Sequence, residues 1–128
     1  MPTKVLWAVF AGGAIGTLAR YLVLLAITQS GVSDAWLDLL VTTIVNLAGA
    51  FALGVIHWTA KNKSETWNGF WATGFAGGFT TMSGLALITA GSELGLAANG
   101  YLYWLAVIAQ VLVGVLVYWF GKKLARSR

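Results

Sequence analysis

An asparagine, an arginine and a cluster of hydroxyls occupy positions in this chain where lipid-facing residues are the norm. Between Gly74 and Gly84 the sequence carries four glycines and three hydroxyl side chains, Thr80, Thr81 and Ser83, in the middle of an apolar stretch. A helix interrupted there frees backbone N–H and C=O groups that lipid cannot satisfy. Such backbone persists at membrane depth only where protein or a polar cavity covers it, so the segment reads as an ion or solute site. An interruption near Gly77 and Gly78 starts a second half-helix around Thr80 or Thr81. Hydroxyls then cap its positive end, and carbonyls of the broken turn are free to bind a cation. The competing arrangement is a glycine-lined helix crossing whose hydroxyls bond back to the preceding turn.

Asn46 shares a helical face with Thr42 and Gly49, at spacings of four and three. Its amide brings two N–H donors into an apolar helix, where unpaired donors are costly. As interhelical glue it contributes about 0.6 to 2 kcal/mol; as a pore group it donates to an anion. Arg20 follows Gly13 and Gly16 at helical spacing, on a face whose small residues admit another helix. A cation inside the bilayer costs at least roughly 3 kcal/mol unless it is paired, hydrated or able to snorkel. Arg20 therefore snorkels to the outer interface or caps carbonyls as a structural pin, or else it raises the local anion concentration. Gln110, Gly114 and Tyr118 recur at spacings of four. They form either a polar track with two donors or a packing seam with Gly114 at its closest point. His57 stands alone and reads as an interfacial residue rather than a ligand.

These residues need elements that hold them at membrane depth, and the composition supplies them. With 59% hydrophobic residues, 9% charged and a mean hydropathy of +0.79 over 128 residues, the chain cannot coat a soluble domain. Four apolar stretches are long enough to cross a hydrocarbon core of about 30 Å: residues 5–28, 37–60, 67–90 and 101–120. The expected fold class is an all-α membrane protein, one unit of four transmembrane helices with a glycine break in the third. Pro2 is the only proline, so glycine must produce any break inside a span. Lys4 precedes the first stretch, but that stretch is too long for a signal peptide, runs through Arg20 and lacks a clear cleavage pattern. There is no cysteine, which excludes disulfide and thiol chemistry.

The net charge of +4 is placed asymmetrically. Lys4, Lys61, Lys63, Lys122, Lys123, Arg126 and Arg128 flank the spans on one side, whereas the loops on the other side carry Asp34, Asp38 and Glu93 and no lysine or arginine. The positive-inside rule puts both termini in the cytoplasm. Tryptophans and tyrosines near the span ends read as interfacial anchors. They are not interleaved with exposed basic residues, as a nucleic-acid stacking platform requires, so nucleic acid is not an expected partner.

Three sets of residues, in order and at matching span positions, resemble the CrcB/Fluc fluoride channel family. They are Gly12, Gly13, Gly16, Arg20 and Tyr21; Thr42, Asn46, Gly49, Phe51 and Gly54; and Gly74, Gly77, Gly78, Thr80, Thr81 and Ser83. The resemblance covers nearly the whole chain. It implies an antiparallel dimer of four-helix subunits in the cytoplasmic membrane, two narrow fluoride pores, and a structural sodium ion (Na+) at the dimer centre. The family's sodium-holding carbonyls map onto Gly77 and Thr80, its first-span arginine onto Arg20, its pore asparagine onto Asn46 and its vestibule threonine onto Thr42. Fluoride is small and strongly hydrated, so a pore must replace its water with donors. Asn46, Thr80, Thr81, Ser83, Gln110 and Tyr118 are such donors. No acidic residue lies in a span core, which argues against proton-coupled multidrug export and leaves no acid, base or metal cluster for an enzyme.

Two departures accompany the resemblance. The family's third-span motif usually places two phenylalanines where this chain has Met82 and Leu85, so the positive ring edges offered to the ion are missing. The one-sided charge also orients nearly every copy the same way, so an antiparallel partner must be another polypeptide. The expected assembly is a heterodimer with a homologous subunit of opposite charge bias. The alternative role is that of a non-conducting structural partner in such a channel.

Overall fold

The computed structural model describes residues 2–31, 34–84, 86 and 100–127. Helix α1 spans Thr3–Thr28 and α2 spans Asp34–Thr59. A 3-10 turn, Ala60–Asn62, leads into α3, Glu65–Asn68, which runs without interruption into a π-helix, Gly69–Ala76, and then α4, Gly77–Phe79. The last helix, α5, spans Gly100–Arg126. Among the described residues, three helical runs are long and apolar enough to cross a membrane: Thr3–Thr28, Leu39–Asn62 and Trp104–Arg126. The chain is thus a multi-pass, all-helical membrane protein. The end of the remaining expected span, and the loop after it, lie outside the described residues.

Local chemistry sets the helix ends. After α1, Gly31 adopts φ +76°, a left-handed conformation that a side chain would strain, and the chain turns there. Ser64 caps α3 by accepting a bond from Trp67 N at 3.2 Å, with Glu65 in the first turn against the positive helix end. Helix α5 continues six residues past the expected limit of Phe120. Lys123 and Arg126 lie in its last turn, where cations complement the negative dipole end.

Glycine decides how the helices pair. A Cβ at Gly12 or Gly16 of α1 would collide with the Phe70 and Phe75 carbonyls, respectively. In return, a Cβ at Gly74 would meet the Val9 carbonyl at 2.6 Å, and one at Gly78 would collide with the Gly13 carbonyl. Two small-xxx-small ridges, Gly12 with Gly16 and Gly74 with Gly78, therefore interlock backbone to backbone. The same device joins α2 to α5, with Gly54 against the Tyr118 carbonyl and Gly121 against the Phe51 carbonyl at 2.5 Å.

The expected break at Gly77 and Gly78 needs correction. Both residues are α-helical, and the helix is interrupted instead at Thr80 and Thr81, with helical structure resuming at 82–84. Gly78 serves the close approach to α1, so its presence does not unwind the chain.

Burial runs opposite to that of a soluble protein. Among the described residues the buried apolar side chains are only Val5, Val41, Val45, Ile56 and Ala76, and they are joined by the polar Thr42 and Gln110. Large side chains such as Phe10, Leu22, Leu112 and Leu116 are more than half exposed on the outer faces of α1 and α5. Such faces suit lipid tails or another transmembrane chain.

Candidate functional site

The site is built around Thr80, whose backbone is extended at φ −78° and ψ 162°. Its N–H and its hydroxyl both donate back to the Ala76 carbonyl, at 3.0 and 2.9 Å. This back-bonding anchors the last helical turn while the chain leaves it. Gly49 of α2 makes room for the arrangement, since a Cβ there would overlap the Thr80 methyl group.

Asn46 takes over from the helix at the next residue. Thr81 N donates to Asn46 Oδ1 at 2.8 Å, and Asn46 Nδ2 donates to the Thr81 carbonyl at 3.1 Å. The side-chain amide thus pairs with Thr81 as a neighbouring peptide group would, satisfying backbone that lipid cannot. Thr81 Oγ1 then accepts a bond from Gly84 N at 3.0 Å and lies 3.1 Å from Ser83 Oγ. That is N-cap geometry for the short turn that follows.

Diverting Thr81 N has a consequence for Gly77. An unbroken α-helix sends that donor to the Gly77 carbonyl, and the Thr80 donor is already held by Ala76. The Gly77 carbonyl therefore leaves the ladder, and the space around a Gly77 Cβ is open to at least 4 Å. From α1, Arg20 Nη1 reaches the Thr80 carbonyl at 3.4 Å, and Thr17 Oγ1 reaches the Gly78 carbonyl at 3.5 Å. Of the two roles considered for Arg20, its contact is that of a pin on broken backbone. Each carbonyl has two lone pairs, so the Arg20 contact leaves Thr80 O one for another donor or cation. Gly77 and Thr80 thus offer the oxygen ligands that a hard cation requires, although Thr80 O faces a guanidinium as well.

Beside the break lies a cavity of about 330 Å³, lined by Asn46, Thr80, Thr81, Met82, Gln110 and Gly114 among others and, among the described residues, by no charged side chain. Gln110 is only 8% exposed. Its Nε2 lies 2.7 Å from Thr43 Oγ1, while its Oε1 is buried with no partner among the described residues. Exchanging the amide oxygen and nitrogen keeps the contact, with the Thr43 hydroxyl donating to Oε1, and releases both amide N–H groups from Thr43. Thr42 is buried, with its hydroxyl next to the Gly84 backbone. Met82 is 78% exposed, and Leu85 lies outside the described residues.

Tyr118 is not among the cavity-lining residues. Its ring meets His57 edge-on at 6.1 Å, nearer a second cavity of about 500 Å³ lined by His57, Lys61, Glu65 and Asn68. The two cavities share Leu53 and Ala72, so they adjoin along α2. Two contributors escaped the sequence reading. Thr17 lies three residues before Arg20, on the same face, and Thr43 follows Thr42; in both cases a hydroxyl one helical step from a chosen residue was the available signal.

Interlocked glycine ridges and a polar break inside an apolar bundle define a polytopic membrane protein with an ion or solute site at membrane depth. A sequence model of the family described as CrcB-like protein, Camphor Resistance (CrcB), matches residues 7–122. The chain belongs to the CrcB family. It is 32% identical over 121 residues to a protein of Chlorobium phaeobacteroides named fluoride-specific ion channel FluC, covering 91% of this chain and 88% of that one. A protein of Solibacter usitatus with the same name is 34% identical over 90% of this chain and 93% of its own length. One from Pyrococcus horikoshii is 32% identical over 98% and 99%.

Proposed function

We propose that this chain is a subunit of a fluoride channel that lets cytoplasmic fluoride leave the cell passively and so lowers its toxicity. The observation that carries the proposal is the Asn46–Thr81 pair at a broken helix beside an uncharged cavity. The names of the family relatives give the ion. Fluoride enters a dry passage only when donors replace its hydration shell. Asn46 retains a second amide N–H beyond the one given to Thr81, Gln110 adds amide N–H groups, and the bonded Thr81–Ser83 hydroxyl pair has one O–H left to donate. The neighbouring cavity at His57, Lys61 and Asn68 brings the ion to these groups from the side that carries the basic residues. Tyr118 stands by that cavity as a donor near its mouth. Passive flow involves no chemical conversion, and the protein is not an enzyme.

The assembly we propose is an antiparallel dimer in the cytoplasmic membrane, with four transmembrane helices per subunit and both termini of this chain inside. Gly77 and Thr80 carbonyls from two such breaks would hold a sodium ion, which would neutralise the carbonyl dipoles and join the subunits. Arg20 would brace the same carbonyls from α1. The one-sided charge assigns the opposite orientation to a homologous partner subunit.

A second role, as a structural partner without its own conducting pore, is favoured by Met82. That side chain stands where the family places a phenylalanine, and it offers no positive ring edge. Fluoride efflux from liposomes, read with a fluoride electrode, tests both. Efflux is expected when this chain is combined with a homologous subunit of reversed charge bias, and not from this chain alone. Full activity from the chain alone, with antiparallel dimers trapped by cross-linking, would sink the heterodimer. No efflux from the pair would sink the channel. Substituting Met82→Phe with Leu85→Phe is expected to raise efflux; a rise from zero assigns the native chain the structural role.

A further inference from the structure

Twelve residues along α2 from Asn46, about 18 Å at 1.5 Å per residue, a second pocket has a lining separate from that of the proposed ion path, and Lys61 of that path reaches over its tryptophan. Trp58 of α2 and Trp119, Phe120, Lys122, Lys123 and Arg126 of α5 line a pocket of about 400 Å³. Lys61 Nζ lies 4.3 Å from the centre of the Trp58 ring, and the Arg126 guanidinium approaches the same ring at 5.7 Å. Lys122 Nζ lies 5.0 Å from the Trp119 ring centre. Among the described residues no carboxylate lines the pocket. Ring faces therefore position three cations without cancelling their charge.

Dipole complementation at helix ends accounts for a cation in the last turn of α5. It does not account for a concave site in which Lys61, from the turn after α2, and Lys122 and Arg126 of α5 converge on rings of both helices. The pocket also combines two chemistries. Trp119 and Phe120 are 59% and 61% exposed, an apolar wall at the end of a membrane-crossing helix, and the lysines and the arginine stand at its rim. A soluble phosphate has no use for the wall, whereas a phospholipid uses both parts, with its glycerol and upper acyl chain on the rings and its phosphate on the cations. We infer that this pocket binds the headgroup phosphate of an anionic phospholipid in the leaflet that surrounds the C-terminal ends of α2 and α5.

Native mass spectrometry of the full chain, purified in detergent and supplied with phosphatidylglycerol or phosphatidylcholine, tests this without any fluoride measurement. Phosphatidylglycerol is expected to be retained preferentially. Each of Lys122→Gln, Lys123→Gln and Arg126→Gln is expected to weaken its retention roughly fivefold, with phosphatidylcholine unaffected. Lys63→Gln removes a charge from the same side but outside the pocket and should change nothing. Should any of these variants fail to fold, Trp58→Leu, which removes the ring under Lys61 and Arg126 and keeps every charge, should still weaken retention. Equal retention of the two lipids, or a Lys63→Gln loss as large as those in the pocket, would overturn the site in favour of diffuse charge. Displacement of the lipid by millimolar inorganic phosphate would reassign it to a soluble anion.

Discussion

Replacing Asn46 with leucine is expected to slow fluoride efflux about ten- to a hundredfold and to destabilise the fold together. The substitution removes both bonds to Thr81 and leaves a half-buried N–H and C=O unpaired, at up to about 1–3 kcal/mol each. It also removes the amide donor to the anion. A hydrogen bond to a charged group is worth about 1.5–3 kcal/mol, which corresponds to roughly ten- to a hundredfold in rate. Asn46→Asp separates the two effects. It keeps an acceptor for Thr81 N and so retains part of the stability, but it loses the donor and places negative charge beside the anion path. Thermal unfolding and liposome efflux measured on both variants check this. Efflux from Asn46→Asp near the native rate would remove Asn46 from the ion path and leave it as structural glue.

Glycine substitutions are expected to split into two groups that helix propensity alone does not distinguish. Gly16→Ala drives a methyl group into the Phe75 carbonyl, and overpacking of this kind costs about 1–3 kcal/mol. The α1 ridge should separate from Gly74 and Gly78, with loss of folded protein on heating. Gly77→Ala points its methyl into open space and gains up to about 1 kcal/mol of helix propensity. The isolated subunit should be as stable as the native chain or slightly more so. If Gly77 lies at a dimer-centred cation site, the same variant should nonetheless lose cross-linked dimer and efflux. A Gly77→Ala chain that dimerises and conducts normally would remove that site from the channel.

Hydropathy located α1, α2 and α5 because each keeps its apolar character through a membrane-length run. It identified the segment of the break but not its residue. Glycine signals both unwinding and close approach, and sequence does not say which. Here Gly74 and Gly78 are used for approach to α1, and the interruption falls at Thr80, where hydroxyl back-bonding and Asn46 redirect the chain. Asn46 was legible as an isolated amide in an apolar helix; its bond to a backbone 35 residues away was not. Tyr118 illustrates the limit of periodicity. It shares a face with Gln110, but eight residues carry it about 12 Å along α5, beyond the end of the first cavity. The Gly12 ridge was partly missed because Gly13 and Gly16, rather than Gly12 and Gly16, had been aligned with Arg20.

Among the described residues, the three side chains that reach the broken backbone from other helices, Thr17, Arg20 and Asn46, all precede it in the chain. A ribosome releases the sequence from its N-terminus, so α1 and α2 emerge before Thr80 and Thr81. When the interrupted segment reaches the bilayer, the groups that shield its peptide bonds are already there. Order of synthesis thus supplies what hydropathy alone would not: an awkward, partly unwound span enters beside waiting donors rather than into bare lipid.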